Sequence, residues 1–378
     1  MIKEEDKVKI VAVETAAVLV PSKGDYRMAR GVHDALRSVV VRVRTDEGVV
    51  GAGESHQGVA GYTPETVETM RAVIDHIYGP LLVGRELEAV EALARDMALA
   101  RQGNRFARCA VEMALWDAMG KACGRSVCAL LGGPVRGRLA LSASIGIDDA
   151  DVMARKAAEY VSGGFRTVKV KVGTPDVSMD LVRVREIRRA VGAGVAIRID
   201  ANEGYAPDVA QAFIRGLDGL DIEHVEQPVA GPHLDAMARL AGMGIVPILA
   251  DESVHSPEDA HRLIAMRAAD AIKIKLTKVG GYIAARKIID LAEAAGLKLV
   301  IGQGICSSIE AAAEAQLACA YPHIHEVAEM VGPTKLRGDL ADPGLDLEGG
   351  FLALPEAPGI GLSPSQALLD KYHYPAPH

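Results

Sequence analysis

Two stretches of the chain decide its fold: Thr167-Val168-Lys169-Val170-Lys171-Val172 and Ala271-Ile272-Lys273-Ile274-Lys275-Leu276. Each is a short run of β-branched and aliphatic residues with a polar residue at its end, which is typical of a parallel strand buried on both faces. Similar runs recur every 24 to 29 residues, the length of one strand, one helix and two loops. Their polar ends are Ser144, Lys171, Asp200, Glu226, Asp251, Lys275, Gln303 and Glu329. Eight such units predict a closed (β/α)8 TIM-type barrel in an α/β fold.

The segment before these repeats is organised differently. Strand-like runs at 8–20, 38–44 and 49–54 predict an antiparallel meander. Helical periodicity follows, and Thr63-Pro64-Glu65 is the expected start of its first helix. We therefore predict three parts: an N-terminal α+β capping domain at 1–131, a (β/α) barrel catalytic domain at 132–345, and a C-terminal segment at 346–378 that packs back on the capping domain.

The composition limits the class of partner. The 378 residues are 49% hydrophobic, and 42 Lys and Arg stand against 50 Asp and Glu, for a net charge of −8 without a basic cluster. Nucleic acid and anionic membranes are poor partners for such a surface. Because the chain contains no run of 18 apolar residues and no signal-peptide-like start, we expect a soluble cytoplasmic protein. The five cysteines, an odd number without paired zinc spacing, are expected to be buried or semi-buried free thiols.

Three carboxylates end consecutive strands of the predicted barrel: Asp200, Glu226 and Asp251. The carboxyl ends of barrel strands converge on one mouth, so these acids become neighbours there. Any one of them alone is more simply explained as a surface carboxylate at a loop start. Three together repel each other unless a cation lies among them, and all-oxygen ligation favours magnesium, with manganese as the alternative, over zinc. Each acid is closely followed by a polar residue expected to support it: Asn202, Gln227 and Glu252.

Lysines flank these acids, with Lys171 on the strand before them and Lys275 on the strand after. Lys169 and Lys273 lie two residues earlier on the same strands. Because side chains two positions apart in a strand point to the same face, both lysines of each strand point to the same side, and Lys169 and Lys273 are expected to lie inside the barrel. A strand-end lysine is usually a solvated charge, but a buried lysine is unfavourable unless it pairs with acids or is used in chemistry. Burial or a neighbouring positive charge lowers the pKa of a lysine, which allows it to act as a base near neutral pH.

The ordered series of motifs resembles the muconate-lactonizing enzyme (muconate cycloisomerase) subgroup of the mandelate racemase/muconate lactonizing enzyme family, in the enolase superfamily. The motifs are Lys169-Val170-Lys171, Asp200-Ala201-Asn202, Val225-Glu226-Gln227-Pro228, Asp251-Glu252-Ser253, Lys275-Leu276-Thr277-Lys278-Val279-Gly280-Gly281 and, in the capping domain, the helix at 110–117. The resemblance covers nearly the whole chain.

The resemblance implies a role for each residue of the barrel mouth. Asp200, Glu226 and Asp251 are expected to hold the metal ion, while Lys171 and Lys275 face each other across the substrate as acid and base. Lys169 is expected to steady the substrate carboxylate. Glu329 with Gly332-Pro333 is similar to the eighth segment of muconate cycloisomerases and is expected to act electrostatically beside the substrate.

The activity implied is that of a magnesium-dependent isomerase. It abstracts the α-proton of a small-molecule carboxylate to give a metal-stabilised enolate, as a muconate-like cycloisomerase or an amino-acid-like racemase or epimerase. A dehydratase of a β-hydroxy acid that uses the same enolate, and a non-catalytic barrel protein, are the alternatives. The resemblance also implies a homo-oligomer, since octamers are common among such enzymes.

Departures from related subgroups leave the substrate open. Gln303 stands where members similar to mandelate racemase have a His, and Ala328-Glu329-Met330 lacks the Asp-x-Asp of dipeptide epimerases. Leu276 replaces the Pro that usually follows the second lysine in o-succinylbenzoate synthases, and the loop at 303–306 differs from that of muconate cycloisomerases.

Substrate choice is expected to lie in two capping-domain loops at 22–36 and 57–63 that close over the barrel mouth. Their polar candidates for substrate contact are Arg27, Arg30, His33 and Tyr62.

Overall fold

The structure is a computed structural model that describes residues 7–59 and 63–375. Tyr62 therefore lies outside the described residues. The strands are β1 (Ile10–Met28), β2 (Gly31–Thr45), β3 (Val50–Gln57), β4 (Arg138–Ile145), β5 (Thr167–Lys171), β6 (Ala196–Asp200), β7 (Ile222–Glu226), β8 (Ile248–Ala250), β9 (Ala271–Ile274), β10 (Lys298–Ile301), β11 (Val327–Ala328) and β12 (Phe351–Ala353). The helices are α1 (Val67–Val73), α2 (Gly79–Leu82), α3 (Val90–Ala100), α4 (Arg105–Cys123), α5 (Val127–Leu130), α6 (Ala150–Ser162), α7 (Val177–Val191), α8 (Pro207–Gly216), α9 (Leu234–Ala241), α10 (Pro257–Ala265), α11 (Leu276–Val279), α12 (Tyr282–Ala294), α13 (Ser308–Ala320) and α14 (Gln366–Lys371).

Strands β4 to β11 form the predicted barrel. Successive strands from β4 to β10 pair in parallel, and β11 pairs in parallel with β4. Parallel bridges from Leu299 to Ile324 and from Gly302 to Glu329 join the eighth segment to β10 and close the ring. Strands β5 and β9 are buried along their whole length, as their continuous apolar character requires. The predicted fold class is confirmed.

The capping domain is built on a three-stranded antiparallel sheet in the order β1-β2-β3. Helix α4 lies against this sheet so closely that two strand positions tolerate no side chain. A Cβ at Gly51 would lie 2.0 Å from the carbonyl oxygen of Ala114, and one at Gly53 would lie 2.1 Å from that of Ala110. Glycine at both positions therefore fixes the approach of the helix to the sheet.

The predicted start of the first helix is wrong. Helix α1 begins at Val67 with Thr66 as its N-cap. The Glu65 carboxylate instead accepts hydrogen bonds from the backbone N–H groups of Phe106 and Ala107, at 2.8 and 3.1 Å, at the start of α4. Asn104 precedes α4 without a side-chain cap, so Glu65 satisfies N–H groups that the helix leaves unpaired.

The segment 22–36, expected to be a loop, is mostly strand. It forms the far end of a β1-β2 hairpin in which Tyr26 pairs with His33 and Met28 with Gly31. The hairpin reaches the barrel, where the backbone N–H of Ile147 donates to the carbonyl of Arg27 at 2.8 Å. A register shift between Pro21 and Tyr26 interrupts the alternation of the strand, which explains why the sequence pattern does not reveal it.

The C-terminal segment contacts both domains. Strand β12 pairs antiparallel with barrel strand β4, a contact that the sequence did not predict. Farther on, Tyr372 accepts a backbone hydrogen bond from Leu19 and Tyr374 donates one to Ala17, so this part lies against β1. The predicted boundary at 131/132 falls between α5 and β4.

Two expectations from composition can be compared with the structure. All five cysteines are free, as predicted, and four are buried; Cys123 is exposed, so the expected burial is wrong for this residue. Within the described parts of the chain, no helix combines the length and the apolar character needed to cross a membrane.

Candidate active site

The three predicted metal-binding carboxylates are buried at the ends of consecutive barrel strands. Asp200 and Glu226 are the last residues of β6 and β7 and lie opposite each other in the strand register. Asp251 directly follows β8. The Nζ atom of Lys169 lies 2.7 Å from both Asp200 Oδ2 and Glu226 Oε2, which shows that these two carboxylates converge on one point.

Lys169 is the centre of this charge cluster. Besides Asp200 and Glu226, its Nζ contacts Glu329 Oε2 at 2.6 Å. Burial opposes the charge on Lys169, but the three carboxylates outweigh it and hold the pKa of the lysine well above its ordinary value. Lys169 is thus an ammonium fixed at the base of the barrel mouth.

Lys171 and Lys275 line one cavity from opposite walls of the barrel. Lys171 ends β5, Lys275 follows β9, and these strands lie four positions apart in a ring of eight. Lys171 Nζ donates to Asp200 Oδ2 at 2.7 Å and to Asn202 Oδ1 at 2.6 Å. Lys275 Nζ donates to Asp251 Oδ2 at 2.5 Å. Each lysine is therefore oriented by a carboxylate on its own side.

The residues expected to support the acids form hydrogen bonds around them. Asn202 donates from Nδ2 to Glu252 Oε1 at 3.0 Å, and Gln227 Oε1 accepts from the backbone N–H of Asp251 at 3.0 Å. Asn202 and Gln227 have φ values of 41° and 36°, in the left-handed region that non-glycine residues rarely adopt. Such strain persists at positions that the surrounding contacts over-determine, as at functional sites.

Two further buried cations, one on β9 and one on β6, join the network. Lys273 bonds to Glu226 Oε2 at 2.5 Å and also to Glu329. Arg198 pairs with Glu223 at 2.8 Å and with Glu329 Oε1 at 3.3 Å. The sequence placed Lys273 inside the barrel but gave no role to Arg198. Because Arg198 lies two positions before a predicted ligand on β6, the same period-two alternation applied to that strand would have found it.

The carboxylates fit a hard divalent cation. The two aspartates, Asp200 and Asp251, are desolvated, yet neighbouring lysines hold their pKa values below the ordinary range, so both are ionised. Burial and Asp200 raise the pKa of Glu226 to about 7, and its buried Oε1 has no hydrogen-bond partner among the described residues. An unpaired buried carboxylate oxygen between two ionised aspartates is a ligand set that magnesium or manganese satisfies.

A second group of potential ligands, His224, Glu226 and Glu329, also brings ligand atoms close together. Here the positive charge is already supplied, because Lys273 and Arg198 contact these carboxylates. A divalent ion at this point would face two fixed cations. Lysines also contact Asp200, Glu226 and Asp251, so charge alone does not separate the two groups; the position of these three at the ends of consecutive strands and the family resemblance favour them.

Two polar groups that lack a partner among the described residues line the cavity, one from the capping domain and one from the barrel. His33 is only 5% exposed, lines the cavity, and neither of its ring nitrogens has a hydrogen-bond partner among the described residues. Burial lowers the pKa of His33 to about 4, so its ring is neutral. Gln303 Nε2, at the end of the seventh repeat, is also buried without a described partner. These groups are available to a substrate.

The other lid candidates have different positions. Arg30 forms an ion pair with Glu203 at 2.7 Å, which ties the hairpin turn to the barrel. Arg27 is exposed and does not line the cavity that holds the lysines. His56, which the sequence did not single out, does line it, and its Nδ1 lies 2.8 Å from Glu310 Oε2.

Comparison with known proteins agrees with this geometry. Residues 10–132 match the N-terminal domain of the mandelate racemase / muconate lactonizing enzyme family, and residues 152–368 match its enolase C-terminal domain-like model. The chain belongs to this family. It is an isomerase of the enolase superfamily, with the cap and barrel of its relatives.

Three similar proteins illustrate the range of the family. An L-Ala-D/L-Glu epimerase of Bacillus subtilis is 35% identical over 94% of this chain and 96% of its own length. An N-succinyl-L-Arg/Lys racemase of Bacillus cereus is 31% identical over 96% of this chain and 97% of its own length. The structure of a muconate lactonizing enzyme from Pseudomonas fluorescens, complexed with muconolactone, superposes with a TM-score of 0.94 at 30% identity, over 97% of this chain and 100% of that one.

Proposed function

We propose that the enzyme is a magnesium-dependent racemase or epimerase that inverts the α-carbon of an N-acylated amino acid. The observation that carries this proposal is the placement of Lys171 and Lys275 on opposite walls of one cavity. A planar intermediate between two such groups is accessible to a proton from either face. Inversion at one carbon needs this two-sided arrangement.

The charges of the cavity favour an acylated amine over a free one. Four lysines line the cavity: Lys169, Lys171, Lys275 and Lys335. Glu329 is the one carboxylate among its described lining residues, and it is already paired with Lys169 and Lys273. A free substrate ammonium would meet lysines without a carboxylate to balance it, whereas an amide presents an acceptor oxygen to them.

The lysines perform the proton transfers. One of Lys171 and Lys275, in its neutral form, takes the α-proton, and the other, as an ammonium, donates a proton to the opposite face. Asp200 and Asp251 accept hydrogen bonds from the two lysine nitrogens and so orient both side chains. Magnesium, when held by Asp200, Glu226 and Asp251, supplies positive charge to the substrate carboxylate as the α-proton leaves.

Cycloisomerisation of a muconate-like diacid is the second candidate. Its support is the similarity to muconate lactonizing enzyme and the Glu329 with Gly332-Pro333 pattern after the eighth strand. In that reaction one lysine moves the proton and the other serves as a fixed charge.

A panel of acids separates these candidates. The purified enzyme with magnesium is incubated with N-acetyl and N-succinyl amino acids, L-dipeptides and cis,cis-muconate, and turnover is followed by polarimetry and by ultraviolet loss of muconate. Racemisation of N-acylated acids without muconate turnover supports the proposal. Turnover of muconate alone, or of dipeptides with free amino groups in preference to acylated acids, contradicts it.

The assembly and location remain predictions. We propose a cytoplasmic homo-oligomer, an octamer by resemblance. Light scattering coupled to size exclusion distinguishes an octamer from a 39.8 kDa monomer.

A further inference from the structure

The cavity wall next to Lys275 carries polar side chains without charge. His56, near the end of β3, lines the cavity there together with Gln303 and Gly304, which follow β10. Because β10 is the neighbour of β9 in the barrel, this wall adjoins Lys275. Burial lowers the pKa of His56 to about 4, so its ring is neutral. The wall therefore offers a substrate hydrogen bonds and no charge of its own.

The ring of His56 is held in one orientation. Its Nδ1 lies 2.8 Å from Glu310 Oε2 on α13, and its edge meets the ring of Phe106 with the two centres 6.4 Å apart. Its Nε2 lies against Gly304, where a Cβ atom would be only 2.2 Å away. Glycine at this position thus leaves the room that the ring needs. Since Gly304 itself lines the cavity, Nε2 is the nitrogen on the cavity side.

Glu310 determines which nitrogen of His56 carries the proton. Burial, only partly offset by Lys275, raises the pKa of Glu310 well above its ordinary value, so its carboxyl group is protonated. Glu310 Oε1 is buried without a hydrogen-bond partner among the described residues. A proton on Oε1 would be a buried donor without an acceptor, so the proton lies on Oε2 and is donated to Nδ1. A neutral imidazole that accepts at Nδ1 carries its own proton on Nε2.

The neighbouring carboxyl group of Glu54 has other partners. It accepts hydrogen bonds from the Ser38 hydroxyl at 2.9 Å, from the backbone N–H of Glu310 at 3.2 Å and from the Ser307 hydroxyl. These bonds hold Glu54 at the start of α13. The described bond to the His56 ring therefore comes from Glu310.

The amide of Gln303 is also oriented by a buried neighbour. The Cys306 thiol donates to Gln303 Oε1 at 2.6 Å. Burial raises the pKa of this thiol well above its ordinary value, so it stays protonated and needs an acceptor. The carbonyl end of the amide is thereby used, and Nε2 is left buried without a partner among the described residues. Gln303 is thus a second neutral donor on the same wall.

Two neutral donors select the group that they bind. In the proposed reaction the substrate carboxylate lies at the metal ion, so these donors meet another part of the substrate. A free amine or ammonium at this point would place donors against donors, whereas a carbonyl oxygen accepts from both. An N-acyl amino acid has such an oxygen on the carbon bonded to the α-nitrogen, next to the carbon that Lys275 serves.

We infer that His56 Nε2 and Gln303 Nε2 bind the acyl carbonyl oxygen of the substrate, and that Glu310 is a positioning residue that keeps His56 a donor. This inference rests on the proposed function for the identity of that oxygen. It makes the wall after β10 the place where the enzyme distinguishes an amide from a free amine.

The first test compares N-acetyl-methionine with its thioacetyl analogue, in which sulfur, a weaker acceptor, replaces the acyl oxygen. We expect His56→Phe and Gln303→Met each to lower kcat/KM for the acetyl substrate by about 5- to 100-fold, since a buried acceptor loses its donor, and for the thioacetyl substrate by less than about 3-fold. Comparing the ratio between enzymes cancels intrinsic differences between the substrates. Exposed His261→Phe is the matched control. Equal losses on both substrates, or none on either, overturn the inference.

The role of Glu310 is tested by rescue and by spectroscopy. Glu310→Gln keeps an N–H that can donate to Nδ1 and should retain the preference for the acetyl substrate, whereas Glu310→Met should lose it. Solid-state NMR of enzyme labelled with the heavy nitrogen isotope in histidine, with His56→Phe to assign the signals, reports the tautomer without turnover. We expect a proton on Nε2 and none on Nδ1. A proton on Nδ1 contradicts the inference.

If wild-type enzyme racemises neither substrate, the proposed function fails, and binding tests the donor pair separately. Calorimetry with magnesium then compares N-acetylglycine with N-thioacetylglycine. Tighter binding of the acetyl compound to wild type, lost in His56→Phe, supports the donor pair. Absence of the preference in wild type, or its survival in the variant, contradicts it.

Discussion

The barrel mouth is built from ion-paired lysines and carboxylates, although Glu226 Oε1 and Gln303 Nε2 there also lack a described partner, whereas the hairpin that covers it contributes a neutral imidazole. In the barrel, the lysines and carboxylates are joined by contacts of 2.5–2.8 Å, for example Lys169 with Glu226 and Lys275 with Asp251. On the hairpin, both ring nitrogens of His33 lack a described partner. The comparison indicates that the barrel fixes the shared chemistry, whereas the hairpin leaves donors and acceptors available for one particular substrate.

The largest effect is expected from the metal site. Removal of divalent ions by a chelator should abolish activity, and magnesium or manganese should restore it. Asp200→Asn should lower kcat by about 10³-fold or more, because charge stabilisation at the substrate carboxylate is lost. Circular dichroism checks that the variant folds. Full activity of the chelator-treated enzyme would show that the reaction does not require a metal ion at this site.

The next effect concerns stability of the barrel network. Lys273→Met leaves Glu226 and Glu329 without one of their buried cations. We expect the free energy of unfolding, measured by urea denaturation, to fall by about 3–5 kcal/mol, since removing one cation leaves part of the buried carboxylate charge uncompensated. Lys287→Met on the surface should change it by less than about 0.5 kcal/mol. A similar small change for Lys273→Met would show that the network is not structurally required.

A smaller effect is expected on the hairpin. His33→Leu should raise KM for the best substrate by about 2- to 10-fold with little change in kcat, the consequence of losing one neutral hydrogen bond. Because the pKa of His33 is about 4, its ring stays neutral between pH 6 and 9, and the effect of His33→Leu on KM should be constant over this range. Exposed His261→Leu serves as the control. A fall in kcat with unchanged KM would place His33 in the chemistry and weaken the contrast between the two regions.

The smallest effect is one of dynamics. Amides at 22–36 should exchange with solvent faster than those of β5 and β9, and substrate with magnesium should slow them. Few backbone bonds attach the hairpin end to the barrel, among them Ile147 to Arg27. Hydrogen exchange followed by mass spectrometry measures this. Identical exchange with and without substrate would show that the hairpin does not close on the ligand.

The sequence predicted the parts of the molecule that depend on local periodicity. The barrel follows from a repeat of strand and helix, and Asp200, Glu226 and Asp251 follow from the ends of those strands. Arg198 was missed although the alternation on its strand indicates it. Lys335 also lines the cavity but was not singled out, because it does not end one of the repeated strands.

Contacts between distant segments account for the wrong predictions. Glu65 caps a helix that begins about 40 residues later, which no local pattern reports. The hairpin was taken for a loop because its irregular register hides the alternation and its far end lies over the barrel mouth. Such features depend on how the two domains pack.

The central claim, two lysines serving opposite faces of one carbon, is tested most directly by deuterium exchange. Lys171→Ala and Lys275→Ala are incubated in heavy water with each enantiomer of the best N-acylated substrate, and loss of the α-proton signal is followed by NMR. We predict that each variant loses racemisation by about 10²- to 10⁴-fold but still exchanges the α-proton of one enantiomer, opposite in the two variants. Near wild-type racemisation in both variants, or exchange of the same enantiomer in both, would contradict it.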